Sequence, residues 1–188
     1  MPHPSVDGIF YRSIGAAALY RFTPPQPLWS LGPGMAGQRF SPLGGPPALY
    51  VAVTPQTTLY ESNGLASTLF ESAGIRPAIP ATVTISIMVK LERALDLTDR
   101  AVLKRLTFSR SELFCPWKEL MLNAEKVPTH ILAEVAYGIP RLQGILFPSH
   151  QDASETNLII WTRKVRSPSF VEVEDPSGML WQRIPSGR

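Results

Sequence analysis

Cysteine is nearly absent from this chain: Cys115 stands alone among 188 residues. A single thiol excludes an internal disulfide framework and fits a reducing compartment. Histidine is scarce too. His3, His130 and His150 are far apart, and with one cysteine they offer no metal-ligand spacing, so no metal is expected. No apolar run approaches the ~20 residues that span a bilayer. The opening residues, MPHPSVDG, lack the basic and apolar regions of a signal peptide. The expectation is a soluble, cytoplasmic protein with no membrane partner. Neither GxGxxG nor GxxxxGK[ST] occurs, so a nucleotide, if bound, is held in another way.

Concentrated charge is also missing. The net charge is +3 with a pI near 9.2, and Lys and Arg are scattered. The densest stretch, RKVR at Arg163–Arg166, reads as a solvated strand exit. Direct nucleic-acid binding usually needs a clustered basic stripe and is not expected. A small anionic ligand is a more economical use of the surplus charge.

What the chain does have is a globular composition, 44% hydrophobic and 18% charged, at a length that suits one domain over residues 1–188. IFYRSI (9–14) reads as a short strand. Residues 23–47 carry TPPQP, GPG and GGPP and read as a long loop, which inside a compact domain is usually functional or disordered. ALYVAV (48–53) is an apolar run of strand length. Thr54 and Pro55 then supply an N-cap oxygen and a first-position proline for a helix. That helix is expected to turn Leu59, Ala66, Leu69 and Phe70 to the core and to end near Gly74; Glu61 falls off its apolar stripe.

TVTISIMVKL (82–91) alternates, with Val83, Ile85, Ile87, Val89 and Leu91 on one side, as a half-buried strand does. Helices are expected over 99–106, 117–124 and 129–138, the last with Thr129 near its N-cap. GILF (144–147), LIIW (158–161), SFVEV (169–173) and MLWQR (179–183) read as strands. About six strands interleaved unevenly with three or four helices give an α+β domain around a mixed or mainly antiparallel sheet.

Ser149, His150 and Asp152 spell the letters of a hydrolase triad, but neighbours this close rarely align in relay. Cys115, between Phe114 and Pro116, has no obvious base and is expected to be a buried structural thiol.

Arg39, Tyr50 and Glu61 stand eleven residues apart on a loop, a strand and a helix. Singly, each has an ordinary reading: a solvated loop residue, a strand residue, a helix-surface residue. Together, GQRFS (37–41), LYVA (49–52) and Glu61 resemble the RES domain, whose pattern is roughly GGRWN, a Gly/Pro loop, an lYxA strand and a helical Glu. Phe10-Tyr11-Arg12 resembles that family's YR strand, Thr129-His130 before LAEVA its Ser/Thr-initiated helix, and QGILFPS (143–149) its late strand and turn. The resemblance covers about residues 9–163. Gln38, Phe40 and Ser41 depart from the family's Gly, Trp and Asn.

The resemblance implies an ADP-ribosyltransferase-like sheet core with flanking helices. It also implies an NAD-consuming toxin of a bacterial toxin–antitoxin module, an NAD+ phosphorylase or glycohydrolase. NAD is then substrate rather than cofactor, phosphate is a candidate co-substrate, and a cognate antitoxin is the expected partner; self-association stays open. Glu61 is expected to bind a ribose hydroxyl and stabilise an oxocarbenium-like centre. Arg39 or Arg12 would hold the pyrophosphate, Tyr50 would stack on nicotinamide or ribose, and Thr129 would hydrogen-bond nearby. The residue two before Glu61 is Leu59, where transferases that modify arginine tend to carry a second polar side chain; this favours phosphate or water as acceptor. A protein-directed mono-ADP-ribosyltransferase and a non-catalytic binding module of the same fold are the alternatives.

Overall fold

Thr82–Leu91 (β3) forms the longest clean alternation in the computed structural model, which describes residues 3–15, 37–59, 61, 81–150, 152, 154–173 and 180–185. Ile85, Ile87, Val89 and Leu91 are buried on one face of it, as the period of two requires. β3 pairs antiparallel along its whole length with β1 (Val6–Gly15), from Val6 opposite Leu91 to Gly15 opposite Thr82. Around this pair the strands assemble into one eight-stranded sheet, in the order β4-β5-β6-β2-β1-β3-β7-β8. The remaining strands are β2 (Leu49–Ala52), β4 (Ala94–Asp96), β5 (Gly144–Pro148), β6 (Thr156–Ile160), β7 (Phe170–Val173) and β8 (Gln182–Ile184). Among the described residues only β4 and β5 pair in parallel. The sheet is thus mixed and mainly antiparallel, with helices beside it.

The sheet divides two apolar clusters. One face carries Phe10, Ile14, Leu49, Val51, Ile87, Leu158 and Val171. The other carries Ile145, Phe147, Ile159 and Trp161, and packs against the helical segment that follows β4. That segment contains α1 (Arg100–Leu106), α2 (Arg110–Leu113), α3 (Trp117–Leu122) and α4 (Pro128–Gly138). α4 buries Ala133 and Ala136 against the second cluster. Among the described residues no helix is long and apolar enough to cross a membrane.

Local chemistry explains the boundaries. Thr54 Oγ1 accepts the Thr57 N–H at 3.2 Å, so the expected N-cap before Pro55 is formed, and residues 55–59 and 61 are helical. The positions Ala66, Leu69, Phe70 and Gly74 lie outside the described residues. α4 starts with Pro128 at its first turn, but Val127 takes the cap position and Thr129 is inside the helix. At its other end, Lys164 Nζ donates to the Tyr137 and Ile139 carbonyls and lies 4.9 Å from the Tyr137 ring centre, tying a cation to a helix C-terminus. The RKVR stretch therefore does more than leave a strand: Thr162–Lys164 is a 3-10 turn that fixes α4.

Three elements depart from expectation. Ser109 and Glu112 form a capping box that starts α2 inside the segment expected to be loop. The short β4 adds a strand at the sheet edge, and β8 begins at Gln182 rather than 179.

Candidate active site

The site grows from a tight turn. Gln38 N–H donates to the Ser41 carbonyl at 2.8 Å and Ser41 N–H returns the bond at 3.0 Å, which leaves Arg39 and Phe40 at the tip. Gly37 enters the turn at φ +66, and a Cβ there would lie 3.0 Å from Met121 Sδ, so glycine is favoured at that position. Gln38 needs no such freedom; it is not among the described residues with positive φ.

The Arg39–Phe40 peptide is gripped from both sides. Thr129 Oγ1, fully buried, donates to the Arg39 carbonyl at 2.5 Å. The Phe40 N–H donates to the Tyr50 hydroxyl at 3.1 Å, and Ser41 Oγ bonds the same hydroxyl at 3.2 Å. His130 Nε2 meets the Gln38 carbonyl at 2.8 Å. The Phe40 ring completes the anchor, buried 4.7 Å from the Phe147 ring. Tyr50 and Thr129, both expected at the site, thus spend their hydroxyls on the backbone that carries Arg39. Burial pushes the Tyr50 phenol up to about 12, against the pull of its bonds to Ser41 and Phe40 and of the nearby Arg39.

Held this way, the Arg39 guanidinium is half-buried. It lies 5.9 Å from the Phe114 ring centre, with Nη1 3.5 Å from the Leu113 carbonyl. Burial lowers its pKa, while the charge of Glu61 pulls it back up. The two charged groups are therefore brought into one electrostatic neighbourhood.

Glu61 reaches that neighbourhood from the helix after β2. Its Oε1 accepts from Ser149 Oγ at 2.7 Å and from Asn157 Nδ2 at 2.9 Å. Among the described residues both donors fall on Oε1, which leaves Oε2 as the oxygen without one. Ser149 is fully buried at the end of β5, and Asn157 lies on β6 opposite Ala52 and Phe147. Neither was singled out for this role from sequence. Ser149 belongs to no hydrolase relay: its hydroxyl goes to Glu61, the Asp152 N–H is 3.4 Å from it, and the His150 ring sits 5.8 Å from Phe114. Cys115 is buried and free, as expected of a structural thiol.

Arg12 is not brought to this group. It alternates with Phe10 and Ile14 and lies opposite Ile85, all three in the first cluster, whereas Tyr50 packs on the second. Arg12 is buried there, which pulls its guanidinium down to about 10. Tyr11, opposite Ala52, is the residue of that strand that shares the Tyr50 face.

The site thus combines a mixed, mainly antiparallel sheet with Arg39 and Glu61 within electrostatic reach of each other on either side of the central strand β2. The chain belongs to the RES domain family, whose sequence pattern matches residues 9–181. Its backbone is similar to a chain in the crystal structure of the M. tuberculosis MbcT–MbcA toxin–antitoxin complex, with a TM-score of 0.60 and 16% identity over 96% of this chain and 84% of that one. At that identity the likeness is one of fold. No curated protein matches the chain.

Proposed function

We propose that the protein is a toxin that cleaves the nicotinamide–ribose bond of NAD and passes the ADP-ribosyl group to phosphate or water. One observation carries the reading: Glu61 is fixed through a single oxygen by Ser149 and Asn157, within the electrostatic reach of an Arg39 whose backbone is clamped on both sides. In the reaction the C1′–N bond breaks and its electron pair neutralises the pyridinium nitrogen as nicotinamide leaves. An acceptor oxygen then bonds to C1′ and releases its proton. Positive charge builds on the ribose between these events, and a preorganised carboxylate stabilises it more than it stabilises the ground state. Glu61 Oε2 would face a ribose hydroxyl. Arg39 would pair with a phosphate oxygen. The Tyr50 ring would present its face to the substrate, with its hydroxyl already committed.

Helix geometry bears on the choice of acceptor. Glu61 is helical, and residues two apart on a helix do not share a face. Even a polar residue at position 59 would point away from the carboxylate, and the groups that do lie against Glu61 among the described residues, Ser149 and Asn157, are neutral donors rather than a second acid to activate a protein nucleophile. This favours a small acceptor over a protein-directed transferase. The similarity to a toxin–antitoxin complex supports a cognate antitoxin as partner.

Purified protein incubated with NAD, with and without phosphate, tests the reading by its products. Nicotinamide release together with ADP-ribose or its phosphate is expected. In Glu61→Gln, turnover should drop about 10²–10³-fold while the melting temperature holds. Label recovered chiefly on one protein would favour the transferase, and unchanged turnover in a folded Glu61→Gln would remove Glu61 from the chemistry.

A further inference from the structure

Beside the Arg39–Glu61 group lies a cleft of about 370 Å³ between α1, α2 and the ends of β5 and β6. Leu103, Phe108 and Phe114 form its apolar side, while Arg100, Arg110 and Thr98 supply its polar groups. The volume falls in the ~300–1,000 Å³ range of small-molecule sites. Pro148 and Thr156 also line it, and they directly precede Ser149 and Asn157, the two residues that hold Glu61. Phe114 is a shared wall: Arg39 lies 5.9 Å from its ring centre and Arg110 lies 5.3 Å from it.

The charge of the cleft is unbalanced. No carboxylate lines it. The acids nearest in sequence, Asp96, Asp99, Glu112 and Asp152, keep their charge, bonded by Thr98, the Ala101 N–H, Ser109 and Ser154, but none of them is part of the lining. Among the described residues, the ion pair is Arg183 with Glu172, so neither Arg100 nor Arg110 has one. Two guanidiniums at the rim of an apolar concavity repel each other and focus positive potential into it. The complementary ligand carries a compact multivalent anion at one end and a flat apolar body at the other. Guanidiniums pair bidentately with phosphate, and the faces of phenylalanine rings suit a heterocycle.

We propose that this cleft binds a nucleoside monophosphate group, with the phosphate on Arg100 and Arg110 and the base against Phe108 and Phe114. The group has two sources. If NAD is the substrate, as proposed above and on which this source rests, the group is the adenylate half of the same dinucleotide; otherwise it is a free nucleotide.

Titration calorimetry with AMP on the wild-type protein, Arg100→Gln and Arg110→Gln tests the site without any turnover, and so stands apart from the NAD reading. Saturable AMP binding is expected, stronger than that of inorganic phosphate alone and weakened at least tenfold by each substitution. Nicotinamide-release kinetics then separate the sources. AMP competing with NAD, with KM raised and kcat kept in Arg110→Gln, identifies the substrate's own adenylate. AMP bound with NAD kinetics unchanged identifies a separate nucleotide. Either pattern supports the site. Absence of saturable AMP binding, or equal binding by all three proteins, overturns it.

Discussion

Glu61 takes both described hydrogen bonds on one carboxylate oxygen, and the donors come from two neighbouring strands. Such charge-assisted bonds contribute ~1.5–3 kcal/mol each, enough to keep the other oxygen in one orientation. Asn157→Ala and Ser149→Ala should therefore each lower kcat about tenfold, with a smaller change in KM, because the carboxylate remains but its aim loosens. Steady-state nicotinamide release checks this; wild-type kcat in both variants would mean that these bonds do not position Glu61. Tyr50 offers a pH readout. Its phenol is raised to about 12 in the folded protein, against an ordinary value near 10. The folded state holds this proton more tightly than the unfolded chain. Its contribution to stability is thus fully present below pH 10 and is lost as pH rises through 12. Of the five tyrosines, Tyr50 should form tyrosinate late, and ultraviolet titration of Tyr50→Phe should lose a step near pH 12.

At the scale of elements, the turn at Gln38–Ser41 and the start of α4 behave as one unit. Thr129→Val would leave the buried Arg39 carbonyl without its donor, at a cost of ~1–3 kcal/mol. It should cut turnover through Arg39 while leaving Glu61 in place. Thr129→Ser should restore activity, which a purely structural defect from lost methyl packing would not allow. Gly144 marks another tight junction: a Cβ there would sit 2.2 Å from the Ile159 carbonyl oxygen. Gly144→Ala should therefore destabilise the fold by ~1–3 kcal/mol, read by denaturant titration. The late QG motif is thus explained by packing, with Gln143 Oε1 accepting from Glu92 N–H and Ser169 Oγ across three segments.

These cases show what could be read in advance. β3 announced itself through alternation and α4 through Pro128, since both signals are local. α2 carries a legible signal as well, Ser109 followed three residues later by Glu112, set in a stretch otherwise poor in helical periodicity. β4 did not, because three residues at an edge are strand only by virtue of β5 beside them. In the site, Arg39, Tyr50 and Glu61 were visible as residue types. The tasks of Thr129, Ser149 and Asn157 depended on partners 88 to 96 positions away. The position of Arg12 on the face of Phe10 and Ile14 was legible in the sequence too, since the three share one parity along β1.

For the molecule as a whole, one sheet gathers residues from the turn before β2, from β2 itself, the helix after it, α4, the end of β5 and β6 into one site. Expressed without a partner, the protein should deplete cellular NAD and arrest growth, and Glu61→Gln should abolish both effects at equal protein level. Growth arrest with NAD unchanged would separate toxicity from NAD cleavage.

The grip on Arg39 also has an evolutionary side. Thr129 and His130 hold carbonyl oxygens, and Tyr50 accepts a main-chain N–H; all three recognise backbone, which every residue carries. Gln38 can therefore stand in the family's glycine position with the turn still seated, because its φ is ordinary and its carbonyl is what His130 meets. A clamp that recognises only backbone leaves the side chain at position 38 free to vary while the Arg39 guanidinium keeps its place.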